Sequence, residues 1–292
     1  MIAYTLFDLY NNSKGYDETL RKEWLKRAME ITDFFFNKQK NDGDIQDGFD
    51  ENNLECNKKR HRIPARGIVC STFINKYKTT KDQKYLDAAI KLSKAISKEI
   101  LDYEFYNQML DGHVAVINGE ITDSVAGDVN EIYDCENSSY ALIGLVDLYE
   151  ITKDDFTLLL IKKCVSYLIS WMYFYNIKTG VNGYSRGSTT CRMPDLPLCY
   201  IGAGNFAVKP LLKLYDLTND IFYKNILLEL VTCSAKFQWD AKDKLFDKAI
   251  VHAIYQVNGK HWGPSIEGQL DTGMTSGSTL LNLVDLLEKK VI

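Results

Sequence analysis

Asp134 and Glu136 stand two residues apart in "NEIYDCENSS", and Glu267 and Asp271 stand four apart in "SIEGQLDTG". Carboxyl groups placed in pairs can divide acid–base work. One stays protonated and donates to a leaving group, while the other stays ionised and activates water. A further acidic run, "NDGDIQDGFDENN", carries Asp42, Asp44, Asp47 and Asp50. Its "DGD" start looks like a calcium loop, but the spacing does not complete an EF-hand. Each acid also has a plain use. Asp134 and Glu136 precede Asn137 and Ser138, either of which could cap a helix whose dipole favours acids, and Asp271 or Thr272 could cap another.

Arginine is distributed unevenly. The chain has 35 Lys and Arg, seven of them Arg, and Arg60, Arg62, Arg66, Arg186 and Arg192 fall in only two stretches, "NKKRHRIPARG" and "GYSRGSTTCRMPD". The guanidinium fork matches a carboxylate, sulfate or phosphate, so Arg66, Arg186 and Arg192 are candidates for holding an acidic ligand. The alternative is an ion pair with the neighbouring Asp residues that staples the chain to itself. His61, Tyr184, Tyr200, His261 and Trp262 lie in the same kind of glycine-bearing stretch. Their rings suit the C–H faces of a sugar, or they anchor the stretch by burial.

Other chemistries fit less well. Cys135, Cys191, Cys199 and His261 would be acceptable to zinc, but no C-x-x-C pair occurs, so neither a metal nor another cofactor is expected. Cys70, Cys164 and Cys233 fall in apolar helical patterns and read as core. A net charge of -4 gives no sign of nucleic acid as a partner. No apolar stretch is long enough to span a membrane. The opening "MIAYTLFDLYNNSKGYD" is not a secretory signal, and seven cysteines without framework spacing suit a reducing cytoplasm, or secretion behind a signal already removed. No oligomeric state follows from these features.

The elements that must position these residues repeat. "LFDLYNNSKGYDETL", "FINKYKTTKDQKYL", "LVDLYEITKDDFTL" and "LLKLYDLTNDIFYK" each read as the end of one helix, a short break and the start of another. The Tyr ending the first helix recurs at 10, 77, 149 and 215, with Leu287 in a fifth copy, at gaps of 67, 72, 66 and 72 residues. Such regularity marks helical-hairpin repeats, which bury their apolar faces only by packing side by side. The first helix of each hairpin is apolar and rich in small residues, as in "SSYALIGLVDLY" and "GAGNFAVKPLLKLY". The second is charged on one face, as in "QKYLDAAIKLSKAISKEI". The first kind is expected inside and the second outside. The return connections are long, at about residues 39–63, 102–136, 175–201 and 240–272, and loops of that length are usually functional. All feed the N-termini of inner helices, and all the candidate residues lie in or beside them.

This pattern resembles the α/α toroid of the six-hairpin glycosidases and related polysaccharide lyases. "SSYALIGLVDLYEITKDDFTLLL" and "IPARGIVCSTFINKYKTTKDQKYLDAAIK" are similar to hairpins of the unsaturated glucuronyl hydrolases. The resemblance implies a single all-α domain over residues 1–292, with five inner and four outer helices rather than a full twelve. It also implies a glycoside hydrolase acting on an acidic, uronate-type oligosaccharide. A catalytic Asp at the mouth of an inner helix would correspond to Asp134, with Glu136 beside it and Asp47, Glu267 or Asp271 opposite. The same fold also carries lyases, sugar isomerases and prenyltransferases, and it could serve as a binding module without catalysis.

Overall fold

The computed structural model describes residues 1–45, 63–102, 115–117, 120–122, 136–175, 198–237, 250, 253–257, 261–264 and 268–291. Among them are nine α-helices: α1 (Ile2–Asn12), α2 (Glu18–Lys38), α3 (Ile63–Thr80), α4 (Gln83–Asp102), α5 (Glu136–Thr152), α6 (Asp155–Ser170), α7 (Ile201–Thr218), α8 (Ile221–Lys236) and α9 (Gly268–Glu288). The repeat ruler places the odd-numbered helices as the five first members of hairpins and the even-numbered ones as the four second members, as the sequence pattern predicts.

The repeated "T-K-D" or "T-N-D" wording is a physical device for joining two helices with only two residues between them. Lys81, Lys153 and Asn219 take left-handed backbone angles, with φ of 59°, 54° and 54°. Their N–H groups donate to the carbonyls of Tyr77, Tyr149 and Tyr215 at 2.7, 2.9 and 2.7 Å, closing the first helix. The next residue caps the second helix. Asp82 accepts from the Lys84 N–H at 3.2 Å, Asp154 from that of Thr157 at 2.8 Å, and Asp220 from that of Phe222 at 2.9 Å. The lysine that follows the ruler lies over its ring, Lys81 at 5.9 Å from the Tyr77 centroid and Lys153 at 5.1 Å from that of Tyr149. α9 also ends in a left-handed residue, Lys290 at φ 54°, but with a Schellman pattern, in which the Val291 N–H donates to the Leu286 carbonyl at 2.9 Å and the Lys290 N–H to that of Leu287 at 3.0 Å.

The chain divides into two compact units, residues 1–107 with 140–163, and residues 108–139 with 164–292. In the first unit, α3 is buried through Ile68, Val69, Cys70, Phe73 and Ile74, and α5 through Ala141, Leu142, Leu145, Val146 and Leu148. Two glycines let these helices touch. A Cβ on Gly67 would stand 2.2 Å from the Tyr140 carbonyl oxygen, and one on Gly144 would stand 2.2 Å from that of Gly67. Ser71 donates to Asp147, and an ion pair joins Lys78 to Glu150 in the last turns, so the two helices run parallel. The second helix, α4, buries Tyr85, Ala88, Ala89, Leu92 and Ile96 and exposes Lys84, Asp87, Lys91 and Lys94. That spacing of three and four residues is one face of an amphipathic helix.

In the second unit, α7 and α9 also run parallel. Asn205 donates to Thr279 Oγ1 at 2.8 Å and to Ser278 Oγ at 3.2 Å, and an ion pair joins Asp216 to Lys289. Ser234 of α8 donates to Asn205 Oδ1 at 2.7 Å, so one side chain ties three helices together. The interior is Ala207, Val208, Leu211, Leu214, Leu227 and Leu230.

α9 departs from the expectation of all-round burial. Leu280, Leu281 and Leu287 are 61, 66 and 60% exposed, whereas Leu142 and Val208, at the register of Leu280, are 0 and 1% exposed. α1 departs as well, although it packs against its own second helix α2: only Ala3 and Phe7 are buried, and Ile2 and Leu9 are 69 and 41% exposed.

The long connections hold strands that the reading above did not anticipate. β1 (Ala115–Ile117) pairs antiparallel with β2 (Glu120–Thr122), and β3 (Leu198–Tyr200), β4 (Ala253–Val257) and β5 (His261–Pro264) form an antiparallel sheet with β4 in the centre. The signal was present in the sequence. Asn118-Gly119 separates β1 from β2, and "NGK" separates β4 from β5, both hairpin wordings.

Candidate functional site

The best-described polar cluster on the connection side is in the first unit, and it is built from the backbone up. Gly43 has φ 90° and lies so close to α4 that a Cβ would stand 2.6 Å from the Lys91 carbonyl oxygen. Gln39 donates to the carbonyls of Gly43 and Ala88, both at 2.9 Å, which pins the turn to α4. Lys40 N–H donates to the Asp44 carbonyl at 2.9 Å. Asp44 is thereby aimed at the first turns of α3, where Arg66 meets it with both arms of its fork: Nε to Oδ1 at 2.7 Å and Nη2 to Oδ2 at 2.8 Å. Arg66 is 2% exposed. Of the two uses the sequence offered for this arginine, the stapling ion pair is formed.

The other predicted residues fall as follows. Asp47, His61, Asp134, Tyr184, Arg186, Arg192 and Glu267 lie outside the described residues. Glu136 is the first residue of α5, and Asp271 lies in the first turn of α9. Both helices therefore begin ahead of the residues proposed as their caps: Asn137, Ser138 and Thr272 are inside the helices. A carboxylate in a first turn is favoured by the helix dipole. His261 and Trp262 are consecutive residues of β5.

A second polar cluster lies at the turn end of α3, away from the connections. Lys76 pairs with Asp33 and lies 4.5 Å from the Tyr85 ring centroid, and the Tyr85 hydroxyl donates to Asp33 at 2.5 Å. Burial pushes the Asp33 carboxyl upward, but the hydrogen bonds from Lys76 and Tyr85 outweigh it and hold the group below its ordinary range. Burial, then the bond to Asp33, pushes the Tyr85 hydroxyl well above its ordinary value. These groups join α2, α3 and α4 and serve the packing of the first unit.

Cys70, Cys164 and Cys233 are buried, as their place in apolar helices predicts. Burial, with Asp147 nearby, pushes the Cys70 thiol far above its usual value, so it is inert. Among the described residues no group of three or more His, Cys, Asp or Glu gathers as a metal site, and no helix is long and apolar enough to cross a membrane.

No protein-family model matches the sequence, and no curated protein matches it. Solved structures do match. A cellobiose 2-epimerase from Bacillus thermoamylovorans is similar over 99% of this chain and 74% of its own, at 14% identity and a TM-score of 0.60. A GH76 α-mannanase from Bacteroides thetaiotaomicron is similar over 98% and 69%, at 17% identity and a TM-score of 0.58. An unsaturated glucuronyl hydrolase from Bacillus sp. GL1 is similar over 99% and 75%, at 15% identity and a TM-score of 0.57. The chain thus has the α/α-toroid fold of these proteins and spans about seven-tenths to three-quarters of their length.

Proposed function

We propose that this chain is a carbohydrate-active enzyme and, more narrowly, a glycoside hydrolase acting on an acidic oligosaccharide. The observation that carries the proposal is the fold, whose solved examples include an unsaturated glucuronyl hydrolase, an α-mannanase and a cellobiose epimerase. Acids at the starts of two first-of-hairpin helices, Glu136 in α5 and Asp271 in α9, support it.

In this reading Asp134, directly ahead of α5, is the base that activates water, with Glu136 beside it. The α5 dipole favours its ionised form. Glu267 is the preferred acid, because aromatic surroundings near Trp262 would raise its pKa, and Asp271 and Asp47 are the alternatives. Arg186 and Arg192 recognise the substrate carboxylate, and Tyr184, His61, His261 and Trp262 the sugar faces. Arg66 contributes by holding Asp44, since two of its donor nitrogens are spent on that carboxylate. The buried thiols of Cys70 and Cys164 support a reducing, cytoplasmic location.

The test is incubation with uronate-containing and neutral oligosaccharides, followed by NMR of the anomeric protons. Hydrolysis creates a new reducing end. A second reading, a sugar epimerase, is supported by the likeness to the cellobiose 2-epimerase and would change a sugar's configuration without one.

A further inference from the structure

α4 carries a row of cations on its outer side. Lys91, Lys94 and Lys98 are all exposed. Their spacing of three and four residues keeps them on one face, and the helical rise places the first and last about 10 Å apart along the axis. Successive ammonium groups stand within a Debye length of about 8 Å, so their fields add. The opposite face of α4 is core, through Tyr85, Ala89, Leu92 and Ile96.

A charge run on a helix is ordinarily a solvated face laced with acids of the opposite sign. α2 is built so: Arg21 pairs with Glu18 at 2.6 Å, Arg27 with Glu23 at 2.8 Å and Lys26 with Glu30 at 4.0 Å. The row on α4 is different. Asp87, four residues before Lys91, accepts from Gln83 at 3.0 Å. Lys94 has Ile90 and Lys91 before it and Ser97 and Lys98 after it at the three- and four-residue positions, so no acid of its own helix is in reach. Among the described residues Lys91, Lys94 and Lys98 form no ion pair. Like charges at these spacings oppose the helix, and the packing of α4 uses its other face. The row also has a direction. The turn that aims Asp44 at Arg66 rests on the Lys91 carbonyl through Gly43. Lys94 and Lys98 lie one and two turns nearer the end of α4, where the long connection to α5 begins.

We propose that this row docks an acidic polysaccharide, holding the uronate carboxylates of a long chain outside the candidate site. Flexible point charges in a row suit anions repeated along a polymer, whereas a single small anion is better held by the convergent fork of arginine. An anionic membrane is a poorer partner, because the apolar face that a surface helix would insert is spent on the core. The choice of a polysaccharide over another polyanion rests on the carbohydrate reading above, and the row adds a second contact for the same class of polymer.

The test is affinity electrophoresis of the full chain in gels holding polygalacturonate, hyaluronan or neutral dextran, each against a gel without polymer. The wild type should be retarded by the two acidic polymers and not by dextran, and less as salt is raised. Lys91→Gln, Lys94→Gln and Lys98→Gln made together should weaken the binding about tenfold or more, the scale of three exposed ion pairs lost at once. The same change of charge on the first hairpin, with Lys14→Gln, Lys22→Gln and Lys26→Gln, should leave it within a few fold. Retardation that survives in the α4 variant, or that falls as much in the matched one, overturns the proposal, and so does a wild type held by neither acidic polymer. Equal or tighter binding of duplex DNA or of phosphatidylserine vesicles overturns the choice of partner. Turnover of a short uronate-containing oligosaccharide, followed alongside, should be the same in all three proteins. A wild type that is retarded without turning it over overturns the hydrolase reading and leaves the α4 row standing.

Discussion

Gly144 lies against Gly67 so closely that a methyl group on Gly144 would stand 2.2 Å from the Gly67 carbonyl oxygen. The obstacle is backbone on a buried helix, so no flexible side chain can move aside. Gly144→Ala must push α5 away from α3, and Gly67→Ala must do the same against Tyr140. Overpacking of this kind costs about 1–3 kcal/mol and sometimes more, and both variants belong at the upper end. Urea denaturation checks this. Gly277, around which nothing lies within 4 Å, is the control: Gly277→Ala should be neutral or mildly stabilising.

The pair Asp44–Arg66 makes a different forecast. It is buried and bidentate, so removing one partner strands the other. Asp44→Asn or Arg66→Met should each cost about 3–5 kcal/mol, and the double variant should cost less than the two single changes summed. A double-mutant cycle by chemical denaturation measures the coupling. An Arg66→Met protein of wild-type stability would return Arg66 to the role of a substrate ligand.

Much of the fold was legible because hairpin repeats announce themselves. The "T-K-D" turns carried the left-handed cap and the acid that starts the next helix, and the Tyr ruler marked where each first helix ends. The strands were less legible. The "NGK" wording marks the hairpin of "AIYQV" and "HWGP", but "AIYQV" also pairs with "LCY", more than fifty residues away, and no local periodicity reveals that pairing. The exposed face of α9 could not be read either. Its sequence, "TSGSTLLNLVDLL", is as apolar as that of the buried first helices, and exposure depends on which helix packs beside it. At the candidate site, residue types were legible and an ion pair with a neighbouring Asp was one of the two uses offered for Arg66, but which Asp it meets was not readable, because Asp44 is placed by the Gly43 turn against α4.

That contrast gives a direct comparison. Leu142 and Leu280 occupy the same register in α5 and α9, one fully buried and the other 61% exposed. Leu142→Ala should cost about 2–5 kcal/mol, and Leu280→Ala no more than about 0.5. Equal losses would mean that the outward face of α9 is covered in solution.

The Asp33 cluster predicts acid sensitivity. The folded-state pKa lies below the ordinary carboxylate value of about 3.9, so the unfolded chain takes up the proton first. The stabilisation is complete above that value and is lost as pH falls from there through the folded pKa. Stability measured from pH 6 to pH 2 should therefore fall less steeply in Asp33→Asn than in the wild type below about pH 4. Parallel curves would assign the acid sensitivity to other carboxylates.

The most direct test of the central proposal is the turnover of Asp134→Asn beside the wild type on the best uronate-containing oligosaccharide, followed as release of new reducing ends. The proposed role as base predicts a folded variant with an unchanged melting temperature and a rate lower by about 10²-fold or more. A variant that turns over at the wild-type rate contradicts it and leaves Asp134 an acid that serves only the start of α5.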